Sequence, residues 1–165
     1  MHTDPFTKDR PQEKTDSLLI EDASYVHEEL ISRLGFAGLL PFVILAVLLW
    51  LVDEDLHPFV SIALTSYAAT IASFLAGVHW AIGFLSQKES EKFHLWWAIS
   101  LSLLAWLGVV MPAYAGLPFL GLLLIAAYLV DRKTYPNAGL KHWLTLRFRL
   151  TVISSVACLL ASGAT

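Results

Sequence analysis

The 165 residues are 56% hydrophobic and 15% charged with a net charge of −3, against roughly 45–50% apolar and about 25% charged in an average soluble domain. A mean hydropathy of +0.62, averaged over a polar start, excludes an ordinary soluble enzyme and requires contact with lipid. The single cysteine, Cys158, excludes a disulfide framework and any Cys-x-x-Cys redox or zinc pattern, and no basic patch with interleaved aromatics outside the membrane flanks points to nucleic acid.

Residues 1–32 are polar and acidic, without the short apolar core and cleavage site of a secretory signal, and their acid content is opposite to that of a mitochondrial transit peptide. They read as a cytoplasmic leader on a bacterial protein. Leu19, Val26 and Leu30 recur at helical spacing, which marks Ser17–Ser32 as a candidate amphipathic helix lying on the membrane or covering the bundle.

Residues 33–165 read as one membrane domain with apolar spans over 34–52, 59–85, 96–111, 117–130 and 150–162. The predicted fold is an all-α, five-span helical bundle. A crossing takes roughly 20 apolar residues, so the last three spans must recruit flanking residues, thin the bilayer or sit partly inside the bundle. Pro112 and Pro118 bracket the fourth span, for which a re-entrant hairpin is the alternative. With five crossings, all eleven Lys and Arg residues fall on one side of the membrane. Positive segments stay inside, so the amino terminus is expected in the cytoplasm and the carboxyl terminus outside.

The first span opens with Gly35, Gly38 and Pro41, where glycines admit a close neighbour and proline removes a helix hydrogen bond; a kinked, tightly packed helix is expected. In the second span Thr65, Ala68, Ala72, Ala76, His79 and Gly83 share one face and would turn His79 into the bundle. Ionisable groups inside a membrane are costly and usually face protein or water. His79 is therefore the leading candidate for a proton relay, a haem or metal ligand or a quinone contact, with an interhelical packing bond as the structural alternative. Ser66, Thr70, Ser73 and Gly77 define another face, also expected to be packed. His27, His57, His94 and His142 are assigned to loops, which leaves His79 without a partner at ligand spacing, so no metal and no cofactor are expected.

Arg33, Arg132, Lys133, Arg147 and Arg149 flank the spans and suit anionic headgroups or topology determination. Arg147 and Arg149 are two positions apart, hence on nearly opposite sides of a helix. One can snorkel to the surface while the other turns inward, and Asp131 at the end of the fourth span is its candidate partner. Asp53, Glu54 and Asp55 read as a solvated loop. No phosphate loop, zinc motif or recognisable Ser/His/Asp set is present, so an enzyme is not expected.

Leu34-Gly-Phe-Ala-Gly-Leu-Leu-Pro-Phe42, Ser73-Phe-Leu-Ala-Gly-Val-His-Trp-Ala-Ile-Gly83, Ser102-Leu-Leu-Ala-Trp-Leu-Gly108 with Pro112, and Asp131 with Leu146-Arg-Phe-Arg-Leu-Thr151 resemble one family. It is a domain of unknown function found in small bacterial inner-membrane proteins, which also takes in an animal mitochondrial protein, transmembrane protein sixty-nine. The resemblance covers about residues 33–151, departs at Ala81 where glycine is expected, and draws attention to Gly77, His79 and Trp80. It implies an integral inner-membrane protein and no particular activity. The expected role is a non-enzymatic accessory, assembly or scaffold protein in contact with the lipid bilayer and with a membrane-complex partner or a second copy of itself. A transporter or proton-linked carrier using His79 is the alternative, and a haem- or quinone-binding redox subunit the third reading.

Overall fold

The computed structural model describes residues 28–85 and 92–165; the expectations placed on residues 1–27 and 86–91 lie outside them. The chain divides into two compact units, residues 1–37 and 38–165. In the first, residues 28–37 form a helix, α1, on which Arg33 donates to the carboxylate of Glu29 one turn earlier at 2.7 Å.

The second unit is built from α2 (Leu40–Leu51), α3 (His57–Leu85), α4 (Lys92–Val110), α5 (Ala113–Thr134) and α6 (Leu144–Ser162), with 3-10 turns at Glu54–Leu56 and Lys141–Trp143. No strand occurs among the described residues. Among the described residues, five segments are long and apolar enough to cross a bilayer: Glu28–Leu51, Glu54–Leu85, Lys92–Val110, Ala113–Thr134 and Lys141–Ser162. The protein is an all-α, multi-pass membrane protein. Exposed Phe74, Trp106 and Leu122 therefore meet hydrocarbon rather than water.

The three short spans lengthen by recruiting their flanks. Helix α4 begins at Lys92 rather than at residue 96, α5 runs from Ala113 to Thr134 rather than over 117–130, and α6 begins at Leu144 rather than at residue 150. At 1.5 Å per residue they reach about 28, 33 and 28 Å, near the roughly 30 Å of hydrocarbon. Helix α5 continues through Pro118, so the fourth span has the length of a crossing rather than of a re-entrant hairpin. In the first span residues 38 and 39 form a turn, and α2 begins at Leu40 with Pro41 in its first turn, where the missing N–H costs nothing. Tyr67 closes that turn, its hydroxyl donating to the carbonyl of Gly38 at 2.7 Å.

Helix α3 is central and packs against α2, α4, α5 and α6. Its small-residue stripe does what its spacing requires, since Thr65, Ala68, Ala72, Ala76 and His79 are all buried. A side chain at Gly83 would run into that of Leu95 at the start of α4. The other helices meet through glycines too. A Cβ on Gly116 of α5 would strike the carbonyl oxygen of Gly108 on α4, and one on Gly121 would lie 3.3 Å from Cβ of Cys158 on α6. Cys158 is fully buried there, as a packing residue. Contacts this close suit a bundle in lipid, where apolar side chains gain little by leaving an equally apolar solvent and packing has to hold the helices together.

Candidate functional site

Because α3 to α6 run alternately up and down, the end of α3, the start of α4, the end of α5 and the start of α6 meet at one end of the bundle. Each contributes a polar residue within about two turns of its terminus: His79 on α3, His94 on α4, Asp131 on α5 and Arg147 on α6. His79 is 0% exposed, Asp131 1% and His94 8%, and the Arg147 side chain 12%.

These four side chains form one hydrogen-bonded chain. The Nε and Nη2 groups of Arg147 both donate to Oδ2 of Asp131, at 2.8 and 2.6 Å. That leaves Oδ1 free to accept from Nε2 of His79 at 2.8 Å, and a carboxylate can only accept, so this ring nitrogen carries the hydrogen. The opposite nitrogen of His79, Nδ1, lies 2.8 Å from Nδ1 of His94. The two rings are 5.1 Å apart between centroids and inclined by 26°. Arg147 also reaches Thr151 one turn along α6, with Nη1 3.4 Å from its hydroxyl oxygen.

Tyr135 walls the cluster, buried to 3% exposure, with its ring centroid 5.9 Å from that of His79. Burial, and then the Asp131 carboxylate, push its phenol up to about 12 against the opposing Arg147 guanidinium. The phenol therefore keeps its proton throughout the physiological range. The turn after α5 holds this residue: its N–H donates to the Asp131 carbonyl at 2.8 Å, and its own carbonyl accepts from Leu140 at 2.9 Å. Gly139 makes that return possible, with φ of +76° in the left-handed region that glycine enters without strain.

Of the residues singled out in the sequence, the structure brings together His79, Arg147 and Asp131. Of the two arginines expected to face opposite ways, Arg147 is the one that turns inward onto Asp131, and Arg149 is exposed. Arg132 and Lys133 are exposed in the last turn of α5, where cations complement the negative end of the helix dipole. Trp80 is 40% exposed and packs edge-on against Phe84. Gly35 lies in α1, and Asp53, Glu54 and Asp55 are exposed.

Two expectations are corrected. His94 is not in a loop: it sits in the first turn of α4, buried against His79, so His79 has an imidazole partner. The periodicity held that signal, because His94, Ala98, Leu101, Ala105 and Gly108 are the buried positions of α4 and recur every three or four residues. The face carrying Ser66, Thr70, Ser73 and Gly77 is not packed. Thr70 bonds back to the Ser66 carbonyl, and Ser73 and Gly77 line an outward groove of about 330 Å³ with Ala76, Trp80, Ala98 and Ser102. A Cβ added at Gly77 would meet nothing within 4 Å. Tyr135 was missed altogether, since its place depends on the turn that follows α5.

Known proteins give the chain a family and no activity. A family model described as "Protein of unknown function (DUF3429)" matches residues 28–163. Transmembrane protein 69 of Xenopus tropicalis is 37% identical over 131 residues, covering 73% of this chain and 49% of the relative. The chain thus spans about half the length of that curated relative. No solved structure matches.

Proposed function

This chain belongs to the DUF3429 family, and on that premise we propose that it is a non-enzymatic accessory or assembly protein of a larger membrane complex. The observation that carries this reading is the interior of the 38–165 unit. Away from the charged end it is filled by Phe42, Leu49, Leu64, Leu101, Leu120 and Leu124, each at most 1% exposed. Three of the polar groups buried among them are turned back on their own helices: Ser61 donates to the Pro58 carbonyl, Thr65 to that of Ser61 and Ser154 to that of Leu150, while the buried Ser155 hydroxyl has no partner within the chain. Such an interior supports a packed scaffold rather than a lined path for a solute.

The outward groove between α3 and α4 is where the partner is expected. Ser73 and Gly77 on one helix and Ala98 and Ser102 on the other each form a pair of small residues four apart, the spacing that lets a third backbone come close in lipid. The occupant in this reading is an apolar transmembrane helix of a partner protein. Extraction of the tagged full chain in mild detergent at native expression tests it. A partner present in constant stoichiometry is expected. A chain that purifies alone, or only with copies of itself, would overturn the reading.

The membrane in this proposal is the bacterial inner membrane, with residues 1–32 as a cytoplasmic leader and the carboxyl terminus outside. The one-sided placement of the eleven Lys and Arg residues supports it. Alkaline phosphatase fused after Thr165 should be active, and an inactive fusion of a stably inserted chain would reverse the orientation.

The buried cluster favours a second reading, a proton-linked carrier that uses His79. It requires solute flux in liposomes that His79→Ala abolishes with folding intact; unchanged flux removes it. The redox reading is less well supported, because both ring nitrogens of His79 are engaged and an axial haem bond would have to displace His94 or Asp131.

A further inference from the structure

We infer that Arg149 on α6 binds the phosphate of an anionic phospholipid and draws it below the headgroup layer, at the outer face of the bundle. The inference is independent of the accessory role. It starts from the rotation of α6, which two contacts fix. Arg147 is bound through Nε and Nη2 to Oδ2 of Asp131, and the Phe148 ring leans on that of Tyr128 on α5, with 5.6 Å between centroids and 52° between planes. At about 100° per residue, Arg149 then falls opposite Thr151, Ser154, Cys158 and Ala161, which are buried positions of α6. It is exposed and opens an exposed line that continues through Val152, Val156 and Leu160.

That line faces hydrocarbon. Helix α6 ends at Ser162, and the exposed indole of Trp50 lies beside the following Gly163, where an added Cβ would be 3.7 Å from the ring. Tryptophan gathers at the headgroup level, and the last carbonyls of a helix need partners that hydrocarbon lacks, so this end marks one boundary of the membrane. Residues 150–162 rise about 20 Å, whereas the hydrocarbon is roughly 30 Å thick. The Arg149 backbone therefore lies about 10 Å inside the opposite boundary. A helical side chain leans toward the N-terminus, which in α6 is the end nearer that boundary, so the guanidinium snorkels part of the way. The rest is closed from the lipid side, by a headgroup drawn inward and a locally thinner leaflet.

Nothing in the described part of the chain answers this charge. Asp131 cannot, since its Oδ2 holds Arg147 and its Oδ1 accepts from His79, and Arg149 makes no ion pair among the described residues. Asp131 is also the one acidic side chain that the described residues of the 38–165 unit place at this end, against exposed Arg132, Lys133 and Lys141. The surplus is positive, which selects a headgroup of net negative charge over a zwitterionic one. A phosphodiester suits a guanidinium because two of its oxygens can accept paired N–H groups. A partner's helix fits this face poorly. Val152, Ile153, Val156 and Leu160 present branched side chains there, whereas close packing in lipid uses small residues.

The test is native mass spectrometry of the full chain released from nanodiscs that hold equal amounts of phosphatidylglycerol and phosphatidylcholine. One phosphatidylglycerol should stay on each chain, in preference to phosphatidylcholine. Arg149→Leu should weaken that retention about fivefold or more, as expected for a cation held close to an anionic headgroup. Lys133→Gln removes an equal charge from the exposed end of α5 and should weaken it less. A photo-reactive side chain placed at Val152 in native membranes should capture phospholipid. Loss of all lipid from the native chain, equal retention of the two lipids, or equal weakening in the two variants would each overturn the inference. So would capture of a protein from Val152, which would make a partner's carboxylate the counter-charge. The native chain's preference and the cross-link decide the matter whether or not Arg149→Leu inserts.

Discussion

Two parts of the bundle hold the same helices together by different means. At the charged end, α3, α4, α5 and α6 are joined by directional bonds from Arg147 through Asp131 and His79 to His94. Farther along, α4, α5 and α6 are joined by bare proximity at Gly108, Gly116 and Gly121. In lipid these are the main devices available, and they should fail differently. Removing one member of the charged chain strands the others without a partner, whereas crowding a glycine contact only pushes two helices apart.

The largest effect is therefore expected at Asp131, whose carboxylate is bonded to Arg147 on one side and to His79 on the other. Asp131→Ala leaves the Arg147 guanidinium and the Nε2 hydrogen of His79 buried and unanswered. Breaking a buried pair from one side costs roughly 3–5 kcal/mol, which should appear as a large drop in the thermal midpoint in detergent. The double change Asp131→Leu with Arg147→Met removes both charges while keeping volume, and should recover most of the loss. A double variant no more stable than the single one would mean that the shape of the cluster, and not its charge pairing, holds this end.

A smaller loss is expected where helices touch through backbone. Gly116→Ala must place its Cβ against the carbonyl oxygen of Gly108, an atom that moves only with its helix. Overpacking of this kind costs typically about 1–3 kcal/mol. Gly83→Ala also meets its neighbour closely, at 2.7 and 2.8 Å, but the atoms are Cδ2 and Cγ of the Leu95 side chain, which can shift without moving its helix. Gly116→Ala should therefore lower the thermal midpoint more than Gly83→Ala. Equal losses would show that the α4–α5 turn yields as readily as a leucine side chain.

The same contrast explains what could be read from the sequence. The apolar runs gave five spans because hydrocarbon thickness imposes a length that composition reveals, and the stripe through Thr65 and His79 gave the buried face of α3 because helical spacing is regular. That one arginine of the pair would turn inward toward Asp131 was accessible because Arg147 and Arg149 cannot share a side of one helix, but which of them does so is set by the packing of α6 against α5. His94 was lost at a boundary: counting the third span from Trp96 put it in a loop, although Ala98 and Leu101 already continued its stripe. Tyr135 could not be read at all, since its burial depends on a left-handed Gly139 and on the Leu140 N–H reaching back. The open face at Ser73 and Gly77 was misassigned for a different reason. Small residues at helical spacing say that a backbone can come close, not whether one within the same chain does.

That open face supplies the smallest expected effect on stability and the sharpest use of the comparison. Gly77 has the spacing of a packing glycine, yet its Cβ position is empty, whereas Gly121 meets Cys158 and Ser155 at 3.3 Å. Substitutions away from packed or bonded groups usually change stability by no more than about 0.5 kcal/mol. Gly77→Leu should thus leave the thermal midpoint nearly unchanged while filling the groove, and Gly121→Leu should lower it plainly. If the groove receives a partner's helix, Gly77→Leu should also abolish stoichiometric co-purification, with the chain still folded and inserted. Retention of the partner by a folded Gly77→Leu chain would remove the groove as its seat. The matched pair separates the two meanings of a membrane glycine, because Gly121 is occupied from within the chain and Gly77 is open to occupation from outside it.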